Sequence, residues 1–267
     1  MHGETDRAGI LPDFVSFTVG RADVTCAPHV ASAIRSVLKE STLYGYAESH
    51  PGARPLAGRG VAFAVSLPGN VERVVVRHNR HGGLLASLRR DLFRPPTRAP
   101  HELRMSGQLG AAGVPTPVML GYVLYRAMPG FMRADVFSRE VPDSFDLSAI
   151  LVAPEPADVV QAWSATRRLV RRLGEAGARH RDLNVKNILL QRKSTRAGPG
   201  LEAYVLDVDR VEFPFDRAAV NDANVTRLLR SARKWQQVHG AAISDSDLRD
   251  LEALLRRPAQ TVASTRS

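Results

Sequence analysis

The spacing of hydrophobic residues along this 267-residue chain changes several times, and each change predicts an element. Two short β-rich runs, 60–67 and 71–77, flank Pro68-Gly69-Asn70, which predicts an antiparallel hairpin. Upstream, apolar residues at helical spacing over 30–43 predict a helix or arm, followed by a Gly- and Pro-rich connection from Tyr44 to Gly58. Beyond the hairpin, 84–93 and 101–109 read as helices interrupted by Pro95-Pro96. After the rigid turn Gly113-Val-Pro-Thr-Pro117, residues 118–126 and 133–141 alternate as two more strands. A small twisted sheet with one packed helix is the expected first half.

The second half has a different rhythm. From 157 to 177 the set Val160, Trp163, Leu169, Val170 and Leu173 recurs near helical spacing with arginines opposite, and Gly177 stands where a C-terminal cap belongs. Strand-like runs at 188–191 and 203–206 follow, split by the basic turn 192–200, and helices over 221–238 and 245–256 precede a polar tail.

Composition narrows the classes. With 44% hydrophobic residues the chain can fill a core, which excludes disorder throughout. The single cysteine, Cys26, excludes an intramolecular disulfide framework and a cysteine-based structural zinc site, so a reducing cytoplasm fits best. Residues 1–6 lack the basic and apolar blocks of a signal peptide. No apolar run approaches the roughly 18 residues of a membrane span. Lys and Arg total 37 against 27 Asp and Glu, a formal charge of +10. Nucleic acid, anionic lipid and nucleotide phosphate all suit such a field, as does an ordinary arginine-rich surface.

The chemistry concentrates at His180-Arg-Asp-Leu-Asn-Val-Lys-Asn187, which follows the long helix and precedes a strand. It matches the His-x-Asp-Leu-x-x-x-x-Asn pattern of kinase catalytic loops, in which a carboxylate accepts the proton of an attacking hydroxyl and an amide oxygen five residues on holds magnesium. Asp182 and Asn187 take those places. A second oxygen ligand is expected from Asp207 in Val205-Leu-Asp-Val-Asp-Arg210. Asp209 stands where many protein kinases have glycine, and no Ala-Pro-Glu follows, so a mobile activation segment is not indicated. A phosphate-binding half should show a glycine turn, a strand-borne base and a helical glutamate. Gly58-Arg59-Gly60, Arg77 and Glu102 occur in that order. Singly, each fragment is most often structural; together and in order, they point to a nucleotide site. His78 and His81 lack a third ligand for metal, and neither a Walker loop nor a Gly-x-Ser-x-Gly elbow is present.

Further residues sharpen this. Val74-Val-Val-Arg-His-Asn-Arg-His-Gly-Gly-Leu84, Gly58-Arg-Gly60, Gly113-Val-Pro-Thr-Pro117, the 180–187 loop, Asp207-Val-Asp-Arg210 and Asn224-Val-Thr-Arg-Leu-Leu-Arg-Ser231 together resemble the lipopolysaccharide kinase (Kdo/WaaP-type) family, in particular its 3-deoxy-D-manno-octulosonic acid (Kdo) kinases. The resemblance runs from about Gly58 to Lys234. It implies an α+β, bilobal protein-kinase-like fold with a small antiparallel-sheet N-lobe and a mainly helical C-lobe. Its implied activity is ATP-dependent phosphorylation of a Kdo hydroxyl on a lipid A precursor, at the cytosolic face of the inner membrane.

On this expectation residues 1–57 form an N-terminal extension, 58–140 the N-lobe, 141–257 the C-lobe and 258–267 a polar tail. Asp182 is the catalytic base, Asn187 and Asp207 hold Mg²⁺, and Gly58, Arg59, Gly60, Arg77, Glu102 and the backbones of Glu140 and Val141 hold ATP. The partners are ATP, an anionic glycolipid and, peripherally, an anionic membrane surface rather than nucleic acid. The residues alone leave open a kinase of another small molecule, glycan or protein, and a nucleotide-binding module without transfer.

Overall fold

The computed structural model describes residues 14–56, 62–69, 72–79, 92–152, 156–195, 198–239 and 244–256. The chain divides into two units: Met1–Pro142 with Leu206–Asp209, and Asp143–Val205 with Arg210–Ser267. The observed division after Pro142 lies two residues beyond the expected one. The short segment around Asp207 groups with the N-terminal unit although it follows strands of the other.

The first unit is built on a seven-stranded antiparallel sheet of β1 (Val15–Val19), β2 (Ala22–Cys26), β3 (Arg54–Leu56), β4 (Ala62–Ser66), β5 (Arg73–His78), β6 (Met119–Met128) and β7 (Phe131–Arg139), in the spatial order β1-β2-β6-β7-β5-β4-β3. The expected hairpin is β4 and β5, with Val65 opposite Val74. Residues before 57 do more than extend the chain. Val15–Val19 and Ala22–Cys26 alternate in the manner of half-buried strands, Gly20 closes their turn at φ 57°, and β2 pairs with β6. The single helix expected over 30–43 is instead α1 (Ala31–Leu38), and a second helix, α2 (Leu43–Ser49), occupies what read as a connection. Thr42 starts α2 by accepting the Gly45 amide at 3.0 Å.

Alternation along β5 decides which side chain serves which face. Val74 and Val76 pack with Phe137 against Ile34, Leu43 and Ala47 of α1 and α2. Arg77 points to the opposite face, where α3 (Ala99–Ala111) lays Ala99 and Leu103 on Met119, Ala134 and Val136. Gly113 at φ 71° ends α3, with the Val114 amide returning to the Leu109 carbonyl at 2.9 Å. Gly121 lets β2 approach β6 closely, since a Cβ there would lie 2.4 Å from the Thr25 carbonyl oxygen. Of the helix expected over 84–93, residues 84–91 lie outside the described residues, and Phe93 bridges to Met132 as a strand residue does.

The second unit holds β8 (Ser144–Asp146), α4 (Leu147–Val152), α5 (Pro156–Glu175), β9 (Arg179–His180), β10 (Ile188–Thr195), β11 (Gly198–Val205), β12 (Val211–Glu212), α6 (Val220–His239) and α7 (Asp245–Arg256). Strand orders are β11-β10-β8 and β12-β9. The basic turn is shorter than expected, because β10 and β11 stay paired out to Thr195 and Gly198. α5 buries Trp163, Thr166, Leu169, Val170 and Leu173, whereas Val160, assigned from its spacing to the apolar face, is 70% exposed. Gly177 caps this helix at φ 69°, and the Ala178 amide reaches back to Leu173 at 2.8 Å. No helix among the described residues is long and apolar enough to cross a membrane.

Candidate active site

The 180–187 loop is held by hydrogen bonds at nearly every residue. β9 pairs His180 with Val211 of β12, which fixes the loop's entry, and the Arg181 amide bonds the Arg210 carbonyl at 2.9 Å. His180 is fully buried and its Nδ1 accepts the Asp182 amide at 3.1 Å, so that nitrogen carries a lone pair and the ring is the Nε2–H tautomer. The Asp182 carbonyl accepts two side-chain amides, Asn184 Nδ2 and Asn187 Nδ2, each at 2.9 Å. Asn184 Oδ1 in turn accepts the Lys186 amide at 2.9 Å and starts a 3-10 turn over Val185–Asn187. The backbone that carries Asp182 is therefore tied from both directions to the asparagine expected to hold metal.

Helix α6 braces this loop from outside. Asn224, with no exposed surface, accepts the His180 amide through Oδ1 at 3.0 Å and donates through Nδ2 to the Ala178 carbonyl at 2.9 Å. Ser231, two turns further along the same helix face, accepts the Val185 amide through Oγ at 3.2 Å. One face of one helix thus fixes both ends of the loop. The Asn224–Ser231 segment is present in the sequence as a recognisable motif, yet composition and charge drew attention to its arginines and missed these two bracing residues.

In the other unit the structure brings Arg77, Glu102 and Asp207 together. Arg77 forms an ion pair with Glu102, and its Nη1 lies 3.7 Å from Asp207 Oδ1. Glu102 is 7% exposed. Burial pushes its carboxyl above the ordinary glutamate value, Arg77 opposes that push, and the nearby Asp209 and Asp207 add to it. The Glu102 carboxylate, followed by Asp207 and Asp209, holds the Arg77 guanidinium still more firmly in its charged form. Asp209, missed as a partner, reaches Arg98 at 3.5 Å, the residue just before α3. Asp207 adopts φ 53°, a left-handed conformation that costs a non-glycine residue roughly 1–2 kcal/mol and commonly marks functional turns.

The remaining expected residues are placed differently. The Glu140 carboxylate joins Arg54 and Arg73, the latter at 2.7 Å, and its backbone amide bonds the Arg73 carbonyl at 3.0 Å. That amide is committed within the sheet, so an adenine contact at Glu140 is limited to its carbonyl. Val141 follows directly. Gly58, Arg59 and Gly60 lie outside the described residues.

The two residues expected to hold metal fall in different units, Asp207 with the first and Asn187 in the second. Asn187 is 3% exposed, and because its Nδ2 is engaged by Asp182, Oδ1 is the atom left for a cation. Asp207 offers a carboxylate whose side chain is 33% exposed. Hard oxygen donors fit magnesium, which draws its other ligands from phosphate and water. Among the described residues no group of three or more His, Cys, Asp or Glu is placed to hold a metal ion.

Comparison with known proteins places the chain in a family. A family model described as "Lipopolysaccharide kinase (Kdo/WaaP) family" matches residues 55–256. A 3-deoxy-D-manno-octulosonic acid kinase of Actinobacillus succinogenes is 30% identical over 204 residues, covering 73% of this chain and 80% of that protein. One from Xylella fastidiosa is 29% identical, covering 74% and 75%. Among solved structures, WaaP in complex with acyl carrier protein superposes with a TM-score of 0.51 at 17% identity, over 84% of this chain and 86% of that one. This last likeness speaks to the fold alone, a mixed α+β fold of the protein-kinase-like class.

Proposed function

Because this chain belongs to the lipopolysaccharide kinase (Kdo/WaaP) family, we propose that it phosphorylates a hydroxyl of a Kdo sugar on a lipid A precursor, using ATP. Relatives of similar length that bear the name Kdo kinase support this acceptor. The observation that carries the chemistry is the Asp182 carbonyl gripped by both Asn184 and Asn187, which gives a catalytic carboxylate a fixed backbone.

In this reading the acceptor oxygen attacks the γ-phosphorus of ATP, the bond from that phosphorus to the β–γ bridging oxygen breaks, and ADP leaves. Asp182 orients the hydroxyl and takes its proton. Arg77, kept charged and aimed by Glu102, balances negative charge on the phosphates. The Glu140 carbonyl and the Val141 backbone meet adenine, and the Gly58-Arg59-Gly60 segment meets the phosphates. Asn187 and Asp207 would hold Mg²⁺, which would supply electrostatic stabilisation of negative charge on the phosphates. The net charge of +10 supports a peripheral position on the cytosolic face of the inner membrane, where anionic headgroups and a phosphorylated acceptor lie.

The test is incubation of the protein with labelled ATP, Mg²⁺ and a Kdo-bearing lipid A precursor, with product mass as the readout. The expected result is one phosphate added, lost in Asp182→Asn while nucleotide binding persists. Normal turnover by Asp182→Asn would remove that residue from its role. Tight ATP binding without transfer to this acceptor would overturn the acceptor assignment.

A further inference from the structure

Within the 183–188 stretch of the catalytic loop one residue is turned outward. Leu183, Asn184, Val185, Asn187 and Ile188 are all buried, while Lys186 between them is exposed. The loop's hydrogen bonds explain this. The Lys186 amide is fixed on Asn184, and the turn over Val185–Asn187 puts Val185 and Asn187 inward, leaving only the middle side chain to face out. A lysine is thus presented at a set position four residues from Asp182.

The ammonium of Lys186 forms no salt bridge among the described residues. It lies 5.3 Å from the ring of Trp235, which lies on α6 one turn past the bracing Ser231. A contact of this kind holds an ammonium in place while leaving its hydrogen-bond donors available to an anion. Asp146 at the end of β8 is close enough to feel the charge: burial raises its carboxyl above the ordinary aspartate value and Lys186 opposes the rise. It does not close on the ammonium. A cation positioned on a ring, four residues along the chain from Asp182 and without a carboxylate salt-bridge partner among the described residues, suits an oxyanion.

We propose that Lys186, held on the ring of Trp235, binds an oxyanion carried by the acceptor, so that this kinase selects an acidic sugar and places its hydroxyl at Asp182. The inference rests on the acceptor-kinase reading above and deepens it by assigning the charge selection to one side chain. A carboxylate on the reacting sugar and a phosphate elsewhere on the acceptor both fit the ammonium.

Two measurements test it. The chain has two tryptophans, and Trp163 is a buried residue of α5, so in a Trp163→Phe background Trp235 is the sole indole reporter. Intact protein, read as a difference signal, serves if that variant is unstable. Titration with free Kdo, Kdo carboxamide and glucosamine phosphate is expected to change the indole emission with one of the two anions and not with the carboxamide. Which anion responds identifies the source. Lys186→Met should weaken that response and raise the acceptor KM about ten- to a hundredfold, the range of a charge-assisted hydrogen bond, with Lys186→Arg restoring most of it.

An emission change with carboxamide equal to that with Kdo, or no response to any anion, overturns the proposal. So does a Lys186→Met variant whose acceptor KM is unchanged while kcat falls or the ATP KM rises, because the lysine then serves the nucleotide. Transfer to the Kdo acceptor with an unaltered acceptor KM in Lys186→Met sinks this inference and leaves the function standing. Lys186-dependent use of a different acidic sugar does the reverse.

Discussion

Asn224 lies on α6, yet it holds the entry of the 180–187 loop, and Asn224→Ala is the perturbation that reads this out. The substitution leaves the His180 N–H and the Ala178 C=O without their partners at a site with no exposed surface. Each orphaned buried group costs about 1–3 kcal/mol. Water entering the space of the lost amide recovers part of that, so about 3 kcal/mol is a fair total. For a chain of this length each kcal/mol lowers Tm by roughly 2–4 °C, which predicts a fall of about 6–12 °C.

His180 also accepts the Asp182 amide, so displacement should spread to Asp182, the base proposed above, and lower kcat on the order of 100-fold, with the nucleotide KM little changed. Asn224→Asp adds a sign test. Its carboxylate keeps the acceptor for His180 but loses the donor to Ala178 and buries a charge, which should raise its folded pKa. The stability this carboxyl contributes is then present at low pH and lost as pH rises through that folded value, so the variant should be nearer wild type at pH 5 than at pH 8. Thermal unfolding at both values, with steady-state kinetics, checks all three statements. A Tm within 1 °C of wild type together with kcat within twofold for Asn224→Ala would refute the bracing role.

Other predictions follow the same logic. Arg77→Met strands the buried Glu102 beside Asp207 and Asp209. Breaking a fully buried pair costs about 3–5 kcal/mol, and the partial exposure of Arg77 reduces this to about 1–3. Because burial raises Glu102, the variant should recover stability as pH falls, and melting curves between pH 5 and 8 measure it; a flat profile would contradict the assignment. Burial pushes the Cys26 thiol up to about 11, so a thiol reagent at pH 8 should label the native protein negligibly and one thiol per chain after denaturation. Stability tied to that thiol is present up to its unfolded value near 9 and lost as pH climbs toward 11. Gly121→Ala drives a Cβ into the Thr25 carbonyl and should cost about 1–3 kcal/mol, whereas Gly110→Ala, where a Cβ meets nothing, should leave Tm unchanged or higher.

Long periodic elements were legible in the sequence. The valines of β5, the arginine-backed helix α5 and the paired runs of β10 and β11 each bury one face, and that burial imposes the spacing. The β1–β2 hairpin was not read although Val15–Val19 alternates, because five-residue strands turning at Gly20-Arg21 give little signal until a distant partner covers them. α2 was hidden by its brevity and by Gly45, with the Thr42 cap as its one local mark. Within the candidate site, the Arg77–Glu102 pairing and the closeness of Asp182 and Asn187 were visible, because residue type and spacing mark them. Asn224, Ser231 and Lys186 were not assigned their contacts, because those contacts arise where α6 meets the loop, and chain separation conceals such a meeting.

The position of β2 bears on how the chain reaches its native state. Ala22 pairs with Tyr125, so on a ribosome the first hairpin must wait for about a hundred further residues before the edge it completes exists. A truncated chain begun at residue 55, where similarity to the family starts, would bare the β6 edge and strip Ile34, Leu43 and Ala47 from Val74, Val76 and Phe137. An open strand edge above uncovered apolar surface is a template for aggregation, so the boundary of recognisable ancestry passes through the middle of a hydrophobic core.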